Sequence, residues 1–88
     1  MEIPLIAHVV ETYYAEVLFP IFGKEAEDTA RILTNGLVNT LSTYTLPPRE
    51  EGERYAQDVV YPLIGQGNVA DRVTQGLIRI LKDASKDN

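Results

Sequence analysis

The sequence predicts an all-α protein, a pseudo-symmetric four-helix domain made of two similar helical hairpins. Three observations predict it: apolar residues recur at helical spacing in four segments, prolines and glycines separate these segments, and part of the first half is repeated in the second. The chain has 88 residues, of which 44% are hydrophobic and 24% charged. This length allows one modest core, so we expect a single domain over residues 1–88.

The first two predicted helices form the first hairpin. One is expected from Leu5 to Leu18, with Pro4 in the first turn, where the missing N–H costs no bond, and a break at Phe19-Pro20. The next is expected from about Lys24 to Tyr44. Its apolar residues recur three or four positions apart on one face: Ala26, Ala30, Leu33, Leu37, Leu41 and Tyr44.

The second hairpin begins after Leu46-Pro47-Pro48, because successive prolines cannot continue a helix. The third predicted helix starts at Pro48 and kinks or ends at Pro62. Its apolar residues are Tyr55, Ala56, Val59, Val60 and Leu63. The fourth starts after the N-cap residue Asn68 and ends near Lys82 to Ala84, before a frayed end. Its apolar stripe is Ala70, Val73, Leu77, Leu81 and Ala84.

An internal repeat relates residues of approximately 13–44 to 55–84. Residues 16–23 align with 58–65, and 30–41 align with 70–81 in the same order. Three of the eight pairs in the first block and five of the twelve in the second are identical. Shared helical periodicity alone does not explain this match, so we interpret it as a duplication.

The repeat includes a mid-helix glycine, Gly36 in one half and Gly76 in the other. Glycine inside a helix costs about 1 kcal/mol relative to alanine, so its repetition indicates a use. We expect these glycines to mark a close crossing of the second and fourth helices. In each Pro-x-x-Gly corner, we expect the glycine to supply the left-handed exit from the helix.

The first predicted helix carries apolar residues on two sides. One side can enter the core, and a second copy of the chain is an economical cover for the other. The sequence therefore predicts a homodimer or higher oligomer, with an interface that includes Leu5, Val9, Tyr13 and Tyr14. The alternative is that this helix is simply central in the core.

Composition narrows the possible partners. The formal net charge is −5, with 13 acidic against 8 basic side chains, and the basic residues are spread along the chain, so direct nucleic-acid binding is not expected. Cysteine is absent, which excludes disulfides and thiolate chemistry. Neither a membrane span nor a secretory signal is apparent, and we expect a cytoplasmic location.

No motif predicts an enzyme, a metal site or a cofactor. His8 and Glu11 share a helix face, but they form a single pair in the wrong order for a di-metal carboxylate site, so His8 is expected at the rim or in solvent. Gly65-Gln66-Gly67 lacks the third glycine of a dinucleotide fingerprint and the lysine of a P-loop. It is interpreted as a connecting loop.

The favoured function is therefore a non-enzymatic protein-interaction or assembly module that self-associates. A small acidic inhibitor or nucleic-acid mimic, of the anti-defence type that phages encode, is the alternative. It would use the acidic groups Glu25-Glu27-Asp28 and Glu50-Glu51-Glu53, although acidic first turns also simply complement the helix dipole. A third possibility is a small-ligand binder with a polar-lined cavity near Tyr13, Tyr55, Thr34 and Thr74.

Overall fold

The computed structural model describes residues 3–43 and 46–86, with side chains over 6–43 and 46–84. Four helices contain most of these residues, and no strand occurs within the described ranges. The predicted all-α class is confirmed.

The first hairpin consists of α1 and α2. Helix α1 has three consecutive segments, Ile3–Tyr13, Tyr14–Leu18 and Phe19–Phe22. A single 3₁₀ turn, Lys24–Ala26, leads into α2, which is Glu27–Ser42.

The second hairpin consists of α3 and α4. Helix α3 consists of Pro48–Tyr55, Ala56–Val60 and Tyr61–Ile64, and α4 is Asn68–Lys86. The fourth helix thus extends past its predicted end near Lys82 to Ala84.

The predicted break at Phe19-Pro20 is wrong, because α1 continues through the proline to Phe22. The middle segments of α1 and α3 are π-helical. In each, the N–H at the start of the last segment donates to a carbonyl five residues earlier, from Phe19 to Tyr14 and from Tyr61 to Ala56. A wider turn just before a proline lets the helix absorb the missing N–H and the bulk of the ring without ending.

Helices α1 and α3 each end at a glycine with positive φ. Gly23 has φ 69° and Gly65 has φ 78°, and their N–H groups donate to the carbonyls of Phe19 and Tyr61 at 2.9 and 2.8 Å. Both glycines have the positive φ predicted for the Pro-x-x-Gly corners, but their ψ values of −164° and 173° lie outside the left-handed helical region. A side chain in this backbone conformation would be strained.

The helices pack in the cyclic order α1, α2, α3, α4, because α1 and α3 each lie beside both α2 and α4. The predicted α4 stripe is entirely buried, and α2 buries Ala30, Leu33, Leu37 and Leu41 of its stripe, whereas Tyr44 lies outside the described residues. Helix α1 contributes Val9, Tyr13, Val17 and Leu18 to the core, and α3 contributes Tyr55, Ala56 and Val60.

Local features therefore recur at matching positions of the two repeats: the buried tyrosine, the π-helical segment, the proline and the terminal glycine. These matches agree with the sequence repeat. The pseudo-symmetric relation between the two hairpins as whole units stays a prediction. Within the described ranges, no helix has the length and apolar character needed to cross a membrane.

Candidate functional site: two grooves beside the repeated glycines

The two repeated mid-helix glycines, Gly36 and Gly76, each accommodate a valine of the other repeat. A Cβ built on Gly36 would lie 2.6 Å from a methyl carbon of Val59, and one built on Gly76 would lie 2.7 Å from a methyl carbon of Val17. The two valines occupy matching positions in the π-helical segments of α3 and α1. Both glycines therefore allow a close approach between helices of different repeats.

The predicted partners of these glycines were wrong. We expected Gly36 and Gly76 to mark a crossing of the second and fourth helices, but Gly36 on α2 meets α3, and Gly76 on α4 meets α1. The physical reason is the cyclic packing order, which places α2 and α4 diagonally across the bundle. A diagonal pair is separated by core side chains and has no need for glycine.

A groove of about 460 Å³ lies beside Gly36, between α2 and α3. Two of its large apolar side chains are unusually accessible, with Ile32 49% exposed and Leu63 37% exposed. The remaining side chains that line it are Asn35, Asn39, Asp58, Val59 and Pro62. We call this surface the Ile32 face.

A second groove of about 470 Å³ lies beside Gly76, and it is lined also by Arg72, Gln75 and Arg79. In the sequence repeat these three residues align with Ile32, Asn35 and Asn39, respectively. We call this surface the Arg72 face. The repeated glycine thus adjoins two grooves of similar size, one mainly apolar and one basic.

The arginines of the Arg72 face differ from the others in their charge partners. Arg31, Arg49 and Arg54 each lie within 4.0 Å of a carboxylate on their own helix. In the described part of the chain, neither Arg72 nor Arg79 has an ion pair. The acidic chain thus leaves two exposed guanidinium groups, on one helix face, without a carboxylate in contact.

The predicted interface on the first helix is wrong for two of its residues. Val9 and Tyr13 are both 0% exposed, so they belong to the core of the chain itself. Val9 and Tyr13 agree with the alternative, in which this helix is central in the core. Tyr14 is 41% exposed, and the side chain of Leu5 lies outside the described residues.

Tyr13 and Tyr55 meet at the centre of the bundle. Their hydroxyl oxygens are 2.8 Å apart, and the Tyr55 hydroxyl donates to the carbonyl of Leu33 at 2.7 Å. Since Tyr55 has given its proton to Leu33, Tyr13 is the donor in the bond between the two tyrosines. Burial raises the pKa of both phenols, and the nearby Tyr13 raises that of Tyr55 further. Both therefore remain protonated at neutral pH, as a structural link.

His8 lines a small polar pocket of about 210 Å³ between α1 and α4, together with Glu16, Arg79 and Asp83 among others. The imidazole is exposed, as predicted. Throughout the described ranges, no group of three histidine or acidic side chains is placed to hold a metal ion.

Glu51 is a feature that the sequence analysis missed. The sequence places it in an acidic group at the start of a helix, but its side chain is 0% exposed and neither carboxylate oxygen accepts a hydrogen bond. Its ion-pair partner among the described residues is Arg54, with Nη1 3.6 Å from Oε1. The repeat held the signal, because extending the first-block alignment pairs Glu51 with Val9, a core residue.

No family model, curated protein or solved structure matches this chain. The candidate site is therefore defined by its own geometry: two grooves, each beside a repeated glycine, with different side chains around them.

Proposed function

We propose that this chain is a non-enzymatic protein-interaction and assembly module that self-associates. The observation that carries the proposal is the Ile32 face, where Ile32 and Leu63 remain substantially exposed at the rim of an open groove. Apolar side chains grouped around a concavity, with polar groups at its edge, are typical of surfaces that bind another protein. Asn35, Asn39 and Asp58 supply such polar groups.

This proposal moves the expected interface from the first helix to the α2–α3 surface. Val9 and Tyr13 are unavailable because they fill the core. The six large apolar residues that remain exposed among the described ones lie on several helices, but Ile32 and Leu63 line the same groove.

The alternative of an acidic mimic receives less support from the arrangement of the acidic groups. Glu25-Glu27-Asp28 precedes or begins α2, whereas Glu50-Glu51-Glu53 begins α3 after the chain has run the length of α2. The 16 residues of α2 span about 24 Å, so the two groups lie at opposite ends of the bundle. Glu51 is also buried.

The alternative of a small-ligand site between the hairpins required Tyr13, Tyr55, Thr34 and Thr74 to line a polar cavity. Tyr13 and Tyr55 are instead fully buried and bonded to each other. The Thr34 hydroxyl donates to the Ala30 carbonyl of its own helix. The hydroxyl groups of Tyr13, Tyr55 and Thr34 are thus hydrogen-bonded within the fold. Thr74 is buried.

The test is the effect of a charge on the Ile32 face. We expect Ile32→Lys to shift the protein towards the monomer, measured by light scattering, with circular dichroism to verify that the variant is folded. Val38→Lys is the matched control, because Val38 is 38% exposed on the same helix but does not line this groove. If both variants shift equally towards the monomer, or if neither variant shifts, the result counts against the proposed face.

A further inference from the structure

We propose that the Ile32 face of one copy binds the Arg72 face of the next, so that self-association runs head to tail. This inference rests on the proposed function, since it names the second surface that the assembly uses. Both surfaces are built around the same device, a mid-helix glycine that receives a valine of the neighbouring helix. Their grooves are also similar in size, about 460 and 470 Å³.

Position in the bundle determines the kind of assembly. The Ile32 face lies between α2 and α3, and the Arg72 face is formed by α4 next to α1. Because the packing order is cyclic, these two surfaces lie on opposite sides of the molecule. A contact between two different surfaces leaves one of each kind unoccupied at the ends, so the assembly grows unless its rotation closes a ring.

Charge disfavours the pairing of two Arg72 faces and favours the mixed pair. The Ile32 face carries Asp58, whose side chain is 66% exposed and whose nearest cation, Arg54, is at 3.9 Å. The Arg72 face carries two guanidinium groups without ion pairs in the described part of the chain. Two Arg72 faces together would bring four cations into one interface, which is unfavourable, whereas the mixed pair sets cations against a carboxylate.

The side chains also match in their apolar parts. The methylene stems of arginine cover apolar surface while the charged group stays at the edge, so Arg72 or Arg79 can lie over Ile32 and reach Asp58. Gln75 on one side and Asn35 and Asn39 on the other provide hydrogen-bonding groups. Arg79 also borders the pocket that contains Glu16 and Asp83, whereas Arg72 does not line that pocket.

The test uses two variants, each with one disabled surface. Ile32→Lys disables the Ile32 face by placing a cation opposite the arginines, and Arg72→Ser combined with Arg79→Ser disables the Arg72 face. Each variant alone is expected to have the mass of one chain, 9.8 kDa. Mixed in equal amounts, they are expected to form a complex of about twice that mass and no larger, since each supplies the intact surface that the other lacks.

Lys82→Ser is the control for the loss of positive charge, because Lys82 is exposed on α4 but does not line the groove. It should assemble like the wild type. If the wild type assembles but the mixed variants remain monomeric, or if the Arg72→Ser, Arg79→Ser variant alone assembles normally, the head-to-tail contact is wrong while the proposed function stands. A wild type that forms only a closed dimer likewise overturns the head-to-tail contact alone. Normal assembly of Ile32→Lys alone would instead count against the Ile32 face and the proposed function.

Discussion

The hydroxyl groups of Tyr13 and Tyr55 lie 2.8 Å apart at the centre of the bundle, between rings that are nearly perpendicular, at 84°, with centroids 6.0 Å apart. The two residues occupy matching positions in the repeats, but their hydrogen bonds are not equivalent. Tyr55 donates to the Leu33 carbonyl and accepts from Tyr13. This contact joins α1, α2 and α3 in one chain of hydrogen bonds.

The unequal roles predict unequal costs of removal. Tyr55→Phe leaves the Tyr13 hydroxyl buried without a partner, and we expect a loss of about 1–3 kcal/mol in the free energy of unfolding. Tyr13→Phe leaves the bond from Tyr55 to Leu33 intact and should cost less. Urea unfolding followed by circular dichroism measures both variants, and a larger loss for Tyr13→Phe would contradict the assigned donor direction.

The tyrosine pair also predicts how stability depends on pH. Burial raises the pKa of each phenol in the folded state above the ordinary value of about 10 that applies when the chain is unfolded. The unfolded state therefore loses protons first, so stability is retained below about pH 10 and falls as the pH rises above it. The urea midpoint between about pH 8 and 11 should fall more steeply for the wild type than for the Tyr13→Phe, Tyr55→Phe double variant. If the urea midpoint falls equally with pH in both proteins, these phenols are not the source of the pH dependence.

The glycine–valine contacts predict that alanine destabilises at Gly36 and Gly76. Alanine is the better helix former, but its Cβ would lie within 3 Å of a valine methyl carbon on another helix. We expect a net loss of about 1–3 kcal/mol for each variant by urea unfolding. The control is Gly67→Ala, because a Cβ at Gly67 meets nothing within 4 Å. The Gly36→Ala, Val59→Ala double variant should lose less stability than the sum of the two single variants, because the shortened side chain makes room for the new Cβ. Simple additivity of the two losses would contradict the contact.

The buried carboxylate of Glu51 predicts a stabilising substitution. Its oxygens accept no hydrogen bond, and Arg54 is a distant and half-exposed partner. A buried polar group without a hydrogen bond costs about 1–3 kcal/mol of desolvation, so replacing it by an apolar group of similar volume in Glu51→Leu should raise the urea midpoint. Glu53→Leu, at an exposed position in the same turn, should have little effect. A lower midpoint for Glu51→Leu would mean that the carboxylate stabilises the fold.

The fold class followed from local sequence signals because helical periodicity and the buried faces of α2 and α4 depend on spacing within one helix. The course of α1 through Pro20 did not, because the sequence does not show whether a π-helical turn precedes the proline and lets the helix continue. A proline inside a helical pattern is equally compatible with a helix that ends there and with one that continues.

The candidate site was predicted only in part. The repeat drew attention to Gly36 and Gly76, but the side chains that fill the space beside them depend on the order in which the helices pack, which the spacing does not contain. Similarly, the second apolar side of the first helix indicated an interface, although Val9 and Tyr13 on that helix enter the core. The exposure of Ile32 depends on how α2 packs against α3, which the spacing does not contain.

The most direct test of the central claim is the solution mass of the wild-type chain by light scattering over a wide range of concentration. Head-to-tail association predicts an average mass that exceeds the 9.8 kDa of one chain and rises with concentration, unless it levels off at a closed ring. A mass of one chain at every concentration would contradict self-association, and the Ile32 face would then have to be reconsidered as a surface for a different protein.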